Sequence, residues 1–80
     1  MKYVYILQSL SHATEYYTGS TDNFTERLKA HNAGKSPHTA KYIPWKPVVV
    51  FYFADDQRAV DFERYLKSGS GRAFAKRHFW

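Results

Sequence analysis

Arg27, His31 and Glu63 lie on helix faces where charged side chains are unusual. At about 100° per residue, a helix starting near Asn23 puts Arg27 and His31 on the arc of Phe24 and Leu28, the arc that meets a core. A second helix puts Glu63 inside the stripe of Ala59, Phe62 and Leu66. Each residue alone has an ordinary reading: Arg27 snorkels from the stripe's edge, His31 is a hydrogen-bonded core histidine, and Glu63 pairs with a Lys or Arg. Together with tyrosines on a small sheet they form a toolkit for phosphodiester hydrolysis. A carboxylate can hold one divalent cation with waters, as proteins usually bind Mg²⁺, and that cation polarises a phosphoryl oxygen and offsets charge on the leaving oxygen. Arg27 can hold another phosphate oxygen. A Tyr hydroxyl near Arg27 or the metal has its phenolate favoured and can pass on a proton from an attacking water.

Composition narrows the alternatives. Twelve Lys and Arg stand against seven Asp and Glu, a net charge of +5 that favours a polyanionic partner such as nucleic acid. Cysteine is absent, which removes thiol nucleophiles, disulfides and Cys-based zinc sites. His12, His31, His38 and His78 include no close pair at zinc-ligand spacing, and there is no Gly-rich nucleotide loop. Eighty residues are expected to form one domain, residues 1–80. Lys2 is followed by only five apolar or aromatic residues before Gln8, and no run approaches the roughly 20 apolar residues of a membrane span. The expectation is a soluble cytoplasmic protein without membrane contact, a monomer or weak homodimer.

The elements that must position the candidates follow in order. Tyr3 to Leu7 is apolar on both faces and suits a central strand, with Tyr3, Tyr5 and Leu7 on one face and Val4 and Ile6 on the other. A short polar loop leads to a returning strand over Glu15 to Thr18, closed by a turn at Gly19. Thr21 or Asp22 is the expected cap of the first helix. The long connection from Asn32 to Pro47 carries Lys35, Lys41 and Lys46. Either its Tyr42 and Trp45 reach bases, or its Ile43 and Trp45 cover the core. Val48 to Phe53 reads as a buried third strand, followed by a helix from the Asp55-Asp56 cap to about Ser68. Gly69 closes that helix, and Ser70 is the expected cap of a last helix carrying Arg72, Lys76 and Arg77. The order is β-β-α-β-α-α, an α/β chain of the α+β kind.

Taken together, these residues resemble the GIY-YIG nuclease superfamily, in particular its small stand-alone bacterial branch. Tyr3-Val4-Tyr5 corresponds to the first family tripeptide and Tyr17-Thr18-Gly19 to the second. Arg27, His31 and Glu63 fall where the family places its Arg, a His or Tyr, and its metal-binding Glu, and Leu66 to Phe74 resembles the branch's ending. The resemblance implies a small three-stranded antiparallel sheet flanked by helices and a single-metal cut of the phosphodiester backbone. Mg²⁺ or Mn²⁺ would be held by Glu63, with Tyr5 and Tyr17 lining the site and one of them relaying the water's proton. Many members carry a late Asn, whereas the last Asn here is Asn32, and Ser20 stands where some members carry a Lys. Ser70 or a C-terminal cation is left to take the Asn's place. The leading expectation is a metal-dependent endonuclease acting on DNA, with RNA open, selective for structure rather than sequence and placed in DNA repair. Its catalytic set is Tyr5, Tyr17, Arg27, His31 and Glu63. Its nucleic-acid contacts are Lys35, Lys41, Lys46, Lys67, Arg72, Lys76 and Arg77. The rivals are a binding module that has kept the fold without catalysis, and an interaction subunit docking through Trp80.

Overall fold

A strand that is apolar on both faces is stable only where both faces are covered and both edges paired. The stretch around Tyr3 to Leu7 meets that condition. The computed structural model describes residues 2–80. In it β1 (Lys2–Ser9) lies between β2 (Tyr16–Thr21) and β3 (Trp45–Phe53), antiparallel to both. Helix α1 (Phe24–Asn32) follows β2, and α2 (Asp56–Lys67) and α3 (Gly69–His78) follow β3, giving the expected order β-β-α-β-α-α.

The period-two alternation of β1 separates two cores. Val4 and Ile6 pack with Ala59, Leu66 and Ala75 under α2 and α3, reinforced by Phe51, Phe62, Phe74 and Phe79. Tyr5 and Leu7 pack with Trp45, Phe24, Leu28 and Ile43 on the α1 side. Trp45 and Ile43 therefore cover the core, and the Trp45 indole donates to the Thr39 carbonyl at 2.9 Å rather than reaching outward for a base.

Several element boundaries differ from expectation. Because β1 begins at Lys2, its ladder with β2 runs on to Tyr3 opposite Thr21, so Gly19 sits inside a strand opposite Tyr5 and not in a turn. The third strand starts at Trp45, three residues early, tolerating Pro47 through an irregularity opposite Ile6 and Leu7. The cap of α1 is Asn23, whose side chain accepts from the Glu26 N–H, while Thr21 Oγ1 accepts from the Asn23 N–H. Ser68, not Ser70, caps α3, accepting from the Gly71 N–H at 3.2 Å. Gly69 is accordingly the first residue of α3 instead of a terminator.

Candidate active site

Tyr5 sits at the centre of the sheet and is 1% exposed. A buried phenol requires a hydrogen-bond partner. Its hydroxyl lies 3.0 Å from His31 Nε2, and His31 Nδ1 lies 2.8 Å from Thr39 Oγ1. The Thr39 hydroxyl can direct its proton to the Ser36 carbonyl at 3.5 Å, so the network assigns Nδ1–H as donor to Thr39 and Nε2 as acceptor from Tyr5. Burial first, and the Arg27 charge second, lower the His31 pKa and keep the ring neutral. Burial is also the main reason the Tyr5 pKa is raised well above that of a free phenol. Tyr17 and Glu63 act in the same direction, and Arg27 opposes them. Tyr5 at rest is therefore a protonated donor.

Gly19 explains how the ring is accommodated. A Cβ there would lie 2.6 Å from the Tyr5 hydroxyl oxygen, closer than side chains tolerate. The absence of a side chain on β2 lets the phenol lie across the strand. Tyr17, two residues away on the same face, brings its ring centroid to 5.0 Å from His31 and 6.3 Å from Tyr5.

Glu63 approaches from the other side of the sheet. Its Oε1 accepts from Ser20 Oγ at 2.7 Å and its Oε2 from Lys67 Nζ at 2.8 Å. The Glu63 side chain is 21% exposed. Burial would raise its pKa, but the bonds from Lys67 and Ser20, with the charges of Lys67 and Lys2, outweigh it and hold the pKa below the usual carboxylate value. Arg27, expected inward, is exposed. Its place at the edge of the α1 stripe lets the guanidinium keep its hydration, and it lines a recess of about 450 Å³ together with Lys2, Ser20 and Asn23. The sheet thus keeps Tyr5, Tyr17 and His31 on one face and Glu63 on the other. The charges of both Arg27 and Glu63 nevertheless act on the Tyr5 hydroxyl.

The basic residues divide into two groups. Lys67, Arg72 and Lys76 line a groove of about 900 Å³ along β2. Lys35, Lys41, Lys46 and Arg77 are exposed and line neither hollow. Thr39 and Lys2 escaped the sequence reading, which noted Ser20 only as standing where some relatives carry a Lys. Ser20 and Thr39 carry no charge, and only the strand register and a long-range contact reveal their roles.

Residues 1–77 match the family model of the GIY-YIG catalytic domain. The chain belongs to the GIY-YIG family. This GIY-YIG domain is also 38% identical over 68 residues to a UPF0213 protein of Clostridium perfringens (strain 13 / Type A), covering 84% of this chain and 71% of the relative. The family is one of nucleases, which generally use a divalent metal. Among the described residues of this GIY-YIG domain, no group of three or more His, Cys, Asp or Glu side chains converges on a metal position. A single ionised carboxylate does fit a Mg²⁺-type ion, which keeps several waters and takes its remaining ligands from one or two carboxylates and substrate phosphates. No helix among the described residues is long and apolar enough to cross a membrane.

Proposed function

We propose that this chain is a metal-dependent endonuclease that hydrolyses phosphodiester bonds in DNA, in one domain over residues 1–80. The observation that carries the reading is the buried Tyr5–His31–Thr39 hydrogen-bond chain on one face of the sheet, with an exposed Arg27 on α1 and, across β2, the Glu63 carboxylate held by Ser20. Arg27, exposed beside Ser20 and Lys2, binds the non-bridging phosphate oxygens and stabilises the charge that builds on them. Glu63 would hold the divalent ion, Mg²⁺ or Mn²⁺, which when bound would offset charge at the phosphate and the leaving oxygen. Lys67 releases Oε2 for this, as its half-exposed, flexible chain allows.

The proton route follows from the hydrogen bonds. Water oxygen bonds to phosphorus as the bond from phosphorus to the leaving sugar oxygen breaks, and that oxygen, keeping the electron pair, takes a proton from solvent. The water's proton passes to the Tyr5 oxygen as the Tyr5 proton passes to neutral His31 Nε2. The Tyr5 oxygen never carries a full charge in its buried position. Thr39 holds the imidazole in the tautomer that can accept. Tyr17 walls the same face. Lys35, Lys41, Lys46 and Arg77 add long-range attraction for the backbone, which favours recognition by structure over base sequence. RNA is left open as a substrate, and a monomer or weak homodimer in the cytoplasm, acting in repair, is the working state.

The test compares single-stranded, duplex, flap and branched DNA and matching RNA with Mg²⁺, Mn²⁺ or chelator. Metal-dependent cutting is expected, reduced at least about 100-fold in Glu63→Gln and Arg27→Ala. The Lys67 ammonium on Glu63 is the observation that favours the rival, a binder without catalysis. If wild type binds but cuts nothing, and Glu63→Gln binds more tightly, the rival stands and the nuclease reading fails.

A further inference from the structure

β2 is an edge strand, and the groove and the recess both open along it. The larger groove follows Ala13 to Thr18 on one side and is closed on the other by the end of α2 and by α3. The recess beside Arg27 takes up β2 again from Ser20. Between them lies the Ser20–Glu63–Lys67 cluster, and Lys67 belongs to both the groove and the cluster. From Tyr16 to Ser20 the strand advances about 13 Å. A flexible polymer lying along β2 would therefore reach from the groove to the candidate site without turning.

The groove's chemistry identifies that polymer. Arg72 and Lys76 are one helical turn apart on α3, and neither forms an ion pair among the described residues. With Lys67 they set three cations against Glu15, the one acid on the lining. Trp80, 37% exposed, stands edge-on to Tyr16 with ring centroids 4.0 Å apart, and both rings line the same groove. Cations tracking a backbone beside a supported aromatic ring are how single-stranded nucleic acid is held, the phosphates by charge and a base by stacking. A duplex keeps its bases stacked on one another and offers Trp80 nothing.

From this geometry we infer that the groove between β2 and α3 is a binding site for a single-stranded extension of nucleic acid. Arg72 and Lys76 hold its phosphates and Trp80 stacks on a base. That the extension belongs to the substrate rests on the nuclease reading above; the binding does not. Under that reading the preferred substrate is a junction, with its single strand in the groove and its branch point beside Glu63. A phosphate in the groove also competes with Glu63 for Lys67, so loading the strand frees the carboxylate.

The experiment uses the full chain in chelator, where turnover cannot interfere. An oligothymidylate, an oligouridylate and a blunt duplex are titrated while indole fluorescence is followed. Trp45 is buried on the α1 side, so quenching reports Trp80. The single strands are expected to quench, and Trp80→Phe should abolish the signal while retaining most affinity. Trp80→Ala should weaken single-strand binding by about 5- to 100-fold. Arg72→Gln/Lys76→Gln should weaken it at least about 10-fold and the duplex much less, with circular dichroism unchanged. Oligothymidylate and oligouridylate separate a DNA groove from an RNA one. Absence of quenching by either, or an unchanged single-strand affinity in the double variant, overturns the inference. The two readings fail separately. Glu63-dependent cutting of duplex without quenching removes the groove and leaves the nuclease, whereas quenching without any cutting of a flap when Mg²⁺ is added removes the nuclease and leaves the groove.

Discussion

His31 combines two properties that usually exclude each other, full burial and direct contact with a candidate catalytic group. Its neutrality resolves the conflict. A neutral ring can be enclosed provided both nitrogens are paired, and Tyr5 and Thr39 pair them. The sequence showed His31 on the inward arc but could not supply Thr39, eight residues away in a loop. The lowered pKa has a consequence for stability. In the unfolded chain His31 titrates near its ordinary value of 6.5, whereas the folded value lies below it. Between the two the unfolded state binds more protons, so the stabilisation is complete above pH 6.5 and is lost as pH falls through that interval. Urea midpoints measured from about pH 7.5 down to 5.5 should therefore drop more steeply for wild type than for His31→Gln. Glu63, whose window lies below 4.5, contributes nothing to that difference.

At the scale of elements, the hinge between α2 and α3 is governed by two glycines with opposite demands. Ser68 ends one helix and caps the next, leaving no linker. A Cβ on Gly71 would fall 1.8 Å from the Tyr65 carbonyl oxygen, so only glycine allows α3 to leave the end of α2 at this angle. Around Gly69 nothing lies within 4 Å. In thermal or urea unfolding Gly71→Ala should cost about 3 kcal/mol or more, since backbone must part. Gly69→Ala should stay within about 1 kcal/mol of wild type, on the stabilising side. Equal effects at both positions would mean the hinge is not set by this contact. The sequence placed a glycine turn here but could not say which glycine carried the constraint, because the answer lies in the approach of one helix end to another.

For the whole molecule the governing quantity is the surplus of positive charge and its placement. Some cations line the β2 groove, while Lys35, Lys41 and Lys46 lie outside both hollows. Counterion release makes affinity fall with salt according to the number of phosphates contacted. For about four contacts, raising salt from about 50 to 200 mM should lower DNA affinity roughly 50- to 150-fold. The triple variant Lys35→Gln/Lys41→Gln/Lys46→Gln should change that slope less than Arg72→Gln/Lys76→Gln does, which titrations at several salt concentrations would reveal. What the sequence by itself determined was the order of elements, the central place of Tyr3 to Leu7, the two faces of β1 and the inward stripe carrying Glu63. These follow from periodicities of two and 3.6 that act over a few residues. Tertiary structure alone decided that Arg27 stays in water, that Ser20 meets Glu63 and that Thr39 meets His31. It also decided that the groove and the recess share one strand edge. Each of these depends on strand register or on helices docking across the sheet, where the partner's position is set by packing far along the chain and leaves no local pattern to read.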